Sequence, residues 1–415
     1  MHDNIETAST DFLGHPRGLF VLFFTEMWER FSYYGMKALL ILYLTKHFLY
    51  GDRDASLIYG TYGSLVYAMP VLGGIIADRY LGYRKAITFG AILLVCGHLG
   101  MAIEGPPSTV VNGEVVRGEF YNQVFYLSLA FIIVGVGFLK SNISTIVGQL
   151  YSQDDPRRDG GFTIFYMGIN AGAFIAPLAC GYLGYEYGWH YGFGAAGIGM
   201  SLGLALFLWG QPLLEGHGEA PSTTALSEKR GPLRLDHLIY LSGIAGVVVI
   251  WQIVQVTAVV GTLLNVVSLA TLGGLGWYIF ARCDRIQRDR MLALVALIIS
   301  TVFFWALFEQ AAGSMTLFAD RNTDKSLFGV TLTASQFGAA NSFFIFTLAP
   351  LFAFLWTWLG RRNIEPGTPV KFALGIIQAG LGFGALPYGA QFPNEAGIVS
   401  AWWLILAYLL HTTGE

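Results

Sequence analysis

A chain of 415 residues that is 54% hydrophobic and only 12% charged has too few charges to clothe a soluble surface. Its formal net charge of −3 gives no basis for a nucleic-acid partner, and its cysteines (Cys96, Cys180, Cys283) are too scattered for a disulfide framework or a metal site. No metal and no cofactor is expected. The apolar runs are long and apolar on all sides, which suits spanning helices rather than alternating strands. The fold class expected is therefore an all-α polytopic membrane protein in a lipid bilayer.

The N-terminal stretch is polar and lacks an A-x-A cleavage site, so no signal peptide is read there. Apolar segments follow at 18–48, 57–77, 86–103, 121–148, 162–183 and 191–210. A polar stretch covers 211–236. Six more segments lie at 237–255, 257–281, 292–318, 334–359, 371–388 and 396–415. Lysine and arginine placement sets the orientation. With the N-terminus in the cytoplasm, only Lys46, Arg53, Arg117, Arg321 and Lys325 fall outside, and Arg30, Lys37 and Lys140 fall within segments. The rest of the 24 basic residues lie inside. The opposite orientation would invert this split.

A cytoplasmic linker between groups of helices suggests a major facilitator superfamily fold. The loop Gly73–Lys85, with Asp78, Arg79 and Arg84, resembles that superfamily's cytoplasmic G-x-x-x-D-R motif. It reads as a gating latch. The alternative is that these charges cap helices and follow the positive-inside rule.

Charge within the segments is the stronger signal, because a charge at mid-membrane costs at least ~2.5–3.5 kcal/mol on insertion scales. The first segment holds Glu26, Glu29, Arg30, Tyr33, Tyr34 and Lys37. At about 100° per residue these fall within an arc of about 140°. Such a stripe faces an aqueous cavity or a partner helix. Glu26 and Arg30 have the spacing of an ion pair on one helix face. A neutralised structural cluster is the competing reading. Further on, Lys140 is a lone deep cation, and Glu309 sits beside Gln310, with Trp305 one turn earlier. The last segment ends in Glu415. The economical pairing is Lys37 with Glu309 and Lys140 with Glu415, as salt bridges that open and close during alternating access. His98, inside the third segment, is expected to make a helix–helix hydrogen bond, with a proton relay as the alternative.

At these residues the chain resembles the proton-coupled oligopeptide transporter family, prokaryotic type. Glu26–Gly35 matches its E-x-x-E-R-F-x-Y-Y-G motif. Phe165–Gly172 matches F-Y-x-x-I-N-x-G, Phe304–Gln310 matches F-W-x-x-F-E-Q, and Asn341–Ile345 followed by Ala349-Pro350 matches N-x-F-F-I…A-P. The resemblance implies two six-helix bundles with an inserted transmembrane hairpin. The N-terminal bundle would be 1–210, the linker 211–236, the hairpin 237–281 and a partial C-terminal bundle of four helices 282–415. It implies that Arg30 and Lys140 hold a peptide's carboxylate side. Glu309, Asn170 and Asn341, with Glu415 nearby, would hold its amino end. Tyr33, Tyr34, Tyr67 and Trp305 would line side-chain pockets, with Lys37 beside them. Glu26, Glu29, Arg30 and Glu309 would couple protons to transport.

The function implied is proton-driven symport of di- and tripeptides, with protons as coupling ion and no obligate protein partner. The alternatives are another substrate on the same scaffold (nitrate, modified amino acids, peptide-like drugs) or a non-transporting peptide-binding fragment. No catalytic motif points to an enzyme. A bacterial inner membrane is the expected location. Lys37 stands where the family usually has arginine, and Leu139-Lys140-Ser141-Asn142 stands for L-K-P-N. The chain stops at Glu415, within the last segment, so a C-terminally truncated member is expected.

Overall fold

The computed structural model describes residues 11–415; the first ten residues of the polar N-terminus lie outside it. The described chain is helical throughout its apolar runs. In order the helices are α1 (Arg17–Leu42), α2 (Asp52–Ile76), α3 (Tyr83–Met101), α4 (Glu119–Gln149), α5 (Arg158–Glu186), α6 (Trp189–Gly210) and the short α7 (Thr223–Ser227). They continue as α8 (Leu235–Val254), α9 (Thr257–Arg282), α10 (Arg285–Phe308), α11 (Ser314–Asn322), α12 (Ala339–Arg361), α13 (Thr368–Gly389) and α14 (Ala401–Gly414). Among the described residues strand pairing is confined to four short hairpins and one parallel pairing of Val399–Ser400 with Thr323–Asp324.

Among the described residues, 10 helices are long and apolar enough to cross a membrane. The first and last apolar segments of the sequence are not among them: α1 carries the charged stripe, and α14 has only 14 residues. The chain is a multi-pass membrane protein.

Two compact units divide the chain, with boundaries inside α1, α2 and α5 and between α8 and α9. The described residues of the first are 11–36, 62–176 and 187–255. Its helices approach closely because glycines line the contacts. A Cβ at Gly73 in α2 would lie 2.0 Å from the Gly137 carbonyl oxygen of α4, a distance no side chain tolerates. α4 is unbroken through Ser141, whose hydroxyl donates to the Pro70 carbonyl at 3.3 Å. α8 coincides with the apolar run at 237–255, and it packs on α4.

The Asp78–Arg79 loop motif sits on a π-helical turn (Ala77–Leu81) closed by Gly82 at φ 78°. Asp78 and Arg79 are exposed. Arg84 is held by the linker after α6: its Nε donates to the His217 carbonyl at 2.6 Å and its Nη1 to Glu219 Oε1 at 3.0 Å. The Arg84 N–H donates to the Gly218 carbonyl at 2.9 Å. His98 is buried, and neither ring nitrogen makes a hydrogen bond among the described residues. The expected helix–helix hydrogen bond is therefore not seen; apolar packing and close glycine contacts fill the α3–α4 seam.

The second unit comprises residues 37–61, 177–186 and 256–415. α10 begins with a capping box in which Asp284 and Gln287 satisfy each other's backbone N–H. It stops at Phe308 and passes through a tight turn (Glu309–Ala312) and Gly313 into α11. α13 and α14 run together: a Cβ on Gly375 would meet the Gly414 carbonyl oxygen at 2.6 Å. The His411 Nε2 lies 3.1 Å from the Ala379 carbonyl. Long apolar faces of α9, α10 and α12 stay uncovered within the unit, as membrane-spanning helices allow.

Candidate functional site

In the first unit the charged stripe of α1 is sealed. Glu26, Glu29 and Arg30 are 4%, 1% and 3% exposed. The Arg30 Nε lies 3.0 Å from Glu26 Oε1 and also donates to Glu29 Oε2. One guanidinium nitrogen thus serves two carboxylates. Glu26 Oε2, Glu29 Oε1 and Arg30 Nη2 are buried and make no hydrogen bond among the described residues. Burying such atoms is costly, so the group retains capacity for a proton on the acids and an anionic oxygen on the guanidinium.

What seals the cluster is the motif's neighbour in α5. A Cβ on Gly172 would lie 2.3 Å from the Met27 carbonyl oxygen and 3.0 Å from the Arg30 Cβ. Only glycine admits α5 this close. Asn170, two residues earlier, is buried and donates to the Tyr166 carbonyl at 3.1 Å. The Arg30 guanidinium lies 5.2 Å from the Tyr33 ring centre, and Tyr33 packs edge-on against Tyr34 at 5.2 Å. Lys140 from α4 lies over Tyr67 of α2, 4.7 Å from the ring centre. The face of an aromatic ring attracts a cation electrostatically. Lys140 and Glu415 belong to different units.

In the second unit, Lys37 from the end of α1 places its Nζ 2.7 Å from Glu309 Oε2. The side chains are 11% and 30% exposed, so this pair is more open than the Arg30 cluster. Glu309 opens the tight turn at the end of α10. Trp305, one turn before it, is exposed and packs edge-on with Phe308 at 5.2 Å. From α12, the Asn341 amide donates to Glu415 Oε2 at 3.1 Å and to the Thr412 hydroxyl at 3.0 Å. Trp305 and Glu415 also line a cavity of ≈ 400 Å³ with Ser300, Thr301, Gln378 and Lys371 on its walls.

Comparison with known proteins decides the family. A model described as the POT family matches residues 84–415. The chain is 40% identical to the uncharacterized transporter YclF of Bacillus subtilis, over 97% of this chain and 80% of the relative. It is 37% identical to the peptide transporter YePEPT of Yersinia enterocolitica, with the same shares covered. The chain belongs to the POT family. Among solved structures it resembles a peptide transporter POT mutant in complex with alafosfalin, with a TM-score of 0.82 and 34% identity, covering 98% of this chain and 80% of that one. It also resembles a POT family transporter in complex with 5-aminolevulinic acid, with a TM-score of 0.81 and 31% identity, covering 98% of this chain and 82% of the other. The fold is thus that of POT transporters.

The sequence reading passed over three contacts of this POT chain. In the second unit, Lys46 Nζ meets Asp320 Oδ1 at 2.6 Å. Arg321 grips both oxygens of Asp52, at 2.6 and 2.7 Å. The Tyr408 hydroxyl donates to the Ala311 carbonyl at 3.2 Å. The signal for Tyr408 was spacing: Tyr408, Thr412 and Glu415 recur at helical intervals and share one face of α14.

Proposed function

We propose that this POT family member imports di- and tripeptides together with protons by alternating access, in a bacterial inner membrane, with its N-terminus in the cytoplasm. The observation that carries the reading is the sealed cluster of Glu26, Glu29 and Arg30, which holds two buried acids on one guanidinium. An acid that shares its bonded cation with another acid is poised to take up a proton when that cation turns to a new anion. A peptide's carboxylate is such an anion. Arg30 and Lys140 supply the positive pole for it. Glu309, Asn341 and Glu415, with Asn170, supply acceptors and polar contacts for the amino end. Lys37–Glu309 serves as a salt bridge that opens and closes, and Lys140–Glu415 as a second one. Protons are the coupling ion, and neither a cofactor, an obligate protein partner nor a catalytic step is needed. Relatives described as a di-/tripeptide transporter in Lactococcus lactis and as dipeptide and tripeptide permease A in Yersinia pestis support the substrate class.

The test is uptake of labelled dialanine into proteoliposomes under an inward proton gradient, with and without a proton ionophore. Accumulation that the ionophore abolishes is the expected result. Accumulation indifferent to the ionophore would remove the proton from the mechanism. A second reading, a neighbouring substrate on the same scaffold, is favoured by the relatives solved with alafosfalin and with 5-aminolevulinic acid. Uptake of those compounds without uptake of dialanine would select it.

A further inference from the structure

We propose that Tyr408 is a positioning residue for the Lys37–Glu309 pair, acting through the turn that separates α10 from α11. The inference rests on the transport reading above.

α10 ends at Phe308, and the turn Glu309–Ala312 follows before Gly313 and α11. A helix that breaks leaves carbonyls without their usual partners. The Ala311 carbonyl finds two: the Thr316 hydroxyl at 3.1 Å from α11, and the Tyr408 hydroxyl at 3.2 Å from α14. Tyr408 is 2% exposed, so a phenol in an apolar layer has been spent on one backbone atom two residues past Glu309.

The other end of α14 is tied to the polar cluster. The Thr412 hydroxyl donates to the Tyr408 carbonyl at 2.8 Å, and the Asn341 amide donates to that same Thr412 hydroxyl at 3.0 Å and to Glu415 at 3.1 Å. α14 is itself held to α13 by His411 against Ala379. Hydrogen bonds therefore run from Asn341 and Glu415 through Thr412 and Tyr408 to the turn that aims Glu309 at Lys37. A change in α14 when a ligand meets Asn341 and Glu415 reaches the turn through the Tyr408 hydroxyl.

The test is Tyr408→Phe in the whole protein, which keeps the ring and removes only the hydroxyl. Dialanine exchange across proteoliposomes at equal concentrations is measured, so that no gradient is needed. We expect the maximal rate to fall about fivefold with KM within about twofold, the scale of one neutral hydrogen bond. In a Glu309→Gln background the same change is expected to cost little more. An unaltered rate, a raised KM at unaltered rate, or the same factor lost in both backgrounds would overturn the proposal. Should Tyr408→Phe fail to fold, Thr316→Val removes the other donor to the same carbonyl and is expected to lower the rate about threefold at unchanged KM; a wild-type rate there overturns it. If the unmutated protein exchanges no dialanine, the transport reading fails. The inference is then decided by thermal melting of the Tyr408→Phe, Glu309→Gln and double variants. Non-additive losses support it, and additive losses refute it.

Discussion

The two units place charge in the membrane by different means. In the first, Glu26, Glu29 and Arg30 lie within little more than one turn of α1 and are almost wholly buried. In the second, Lys37, Glu309, Asn341 and Glu415 come from four separate stretches of chain, and Glu309 stays partly open. A local cluster is assembled as soon as its helix forms, and packing then closes over it. Contacts between distant stretches, Lys37 with Glu309 and Asn341 with Glu415, exist only while α1, the α10–α11 turn, α12 and α14 keep their places. The first is suited to hold a proton or a carboxylate in a fixed environment. The second is suited to open, because small helix movements separate its members.

The largest effect is expected where the local cluster loses its cation. Arg30→Ala removes the one guanidinium that bonds both buried carboxylates and is expected to cost about 3–5 kcal/mol and abolish proton-driven uptake. Melting of the purified protein and dialanine uptake would show it. A variant that folds normally and transports would erase the contrast between the units. Next is the packing that seals the cluster. Gly172→Ala sets a methyl 2.3 Å from the Met27 carbonyl oxygen and is expected to cost about 1–3 kcal/mol. Gly380→Ala in α13, where a Cβ meets nothing within 4 Å, is the control expected to leave the melting temperature unchanged or raised.

For the dispersed cluster, neutralising Lys37 or Glu309 is expected to lower uptake about tenfold, or roughly 1.4 kcal/mol. Exchanging the two charges should restore part of it. Absence of any recovery would mean that the two residues act separately. The smallest effect belongs to the exposed Asp52–Arg321 pair, whose side chains are about half exposed. Arg321→Gln is expected to cost less than about 1 kcal/mol and to matter less in high salt. A tenfold loss of uptake there would make the pair part of the moving machinery and sharpen the view of the second unit.

The sequence by itself determined the helical membrane class, because apolar runs of spanning length leave no alternative in lipid. It also determined the company kept by Glu26, Glu29 and Arg30, since residues within one turn must share a face. The resemblance in the motifs around Arg30, Asn170, Glu309 and Asn341 pointed to the family that the comparisons then showed. Contacts made through the backbone left no such mark. The hold of His217 and Gly218 on Arg84 uses main-chain carbonyls, which every residue carries. The bond from Tyr408 to Ala311 needs a helix to break at Glu309, and no proline or capping signal announces that break. Lys37 and Glu309 stand 272 residues apart. Charge economy could nominate them, but only the packing of α1 beside the α10–α11 turn set their atoms 2.7 Å apart. Local spacing is written in the chain's own periodicity, whereas distances between segments are decided by how whole helices fit together.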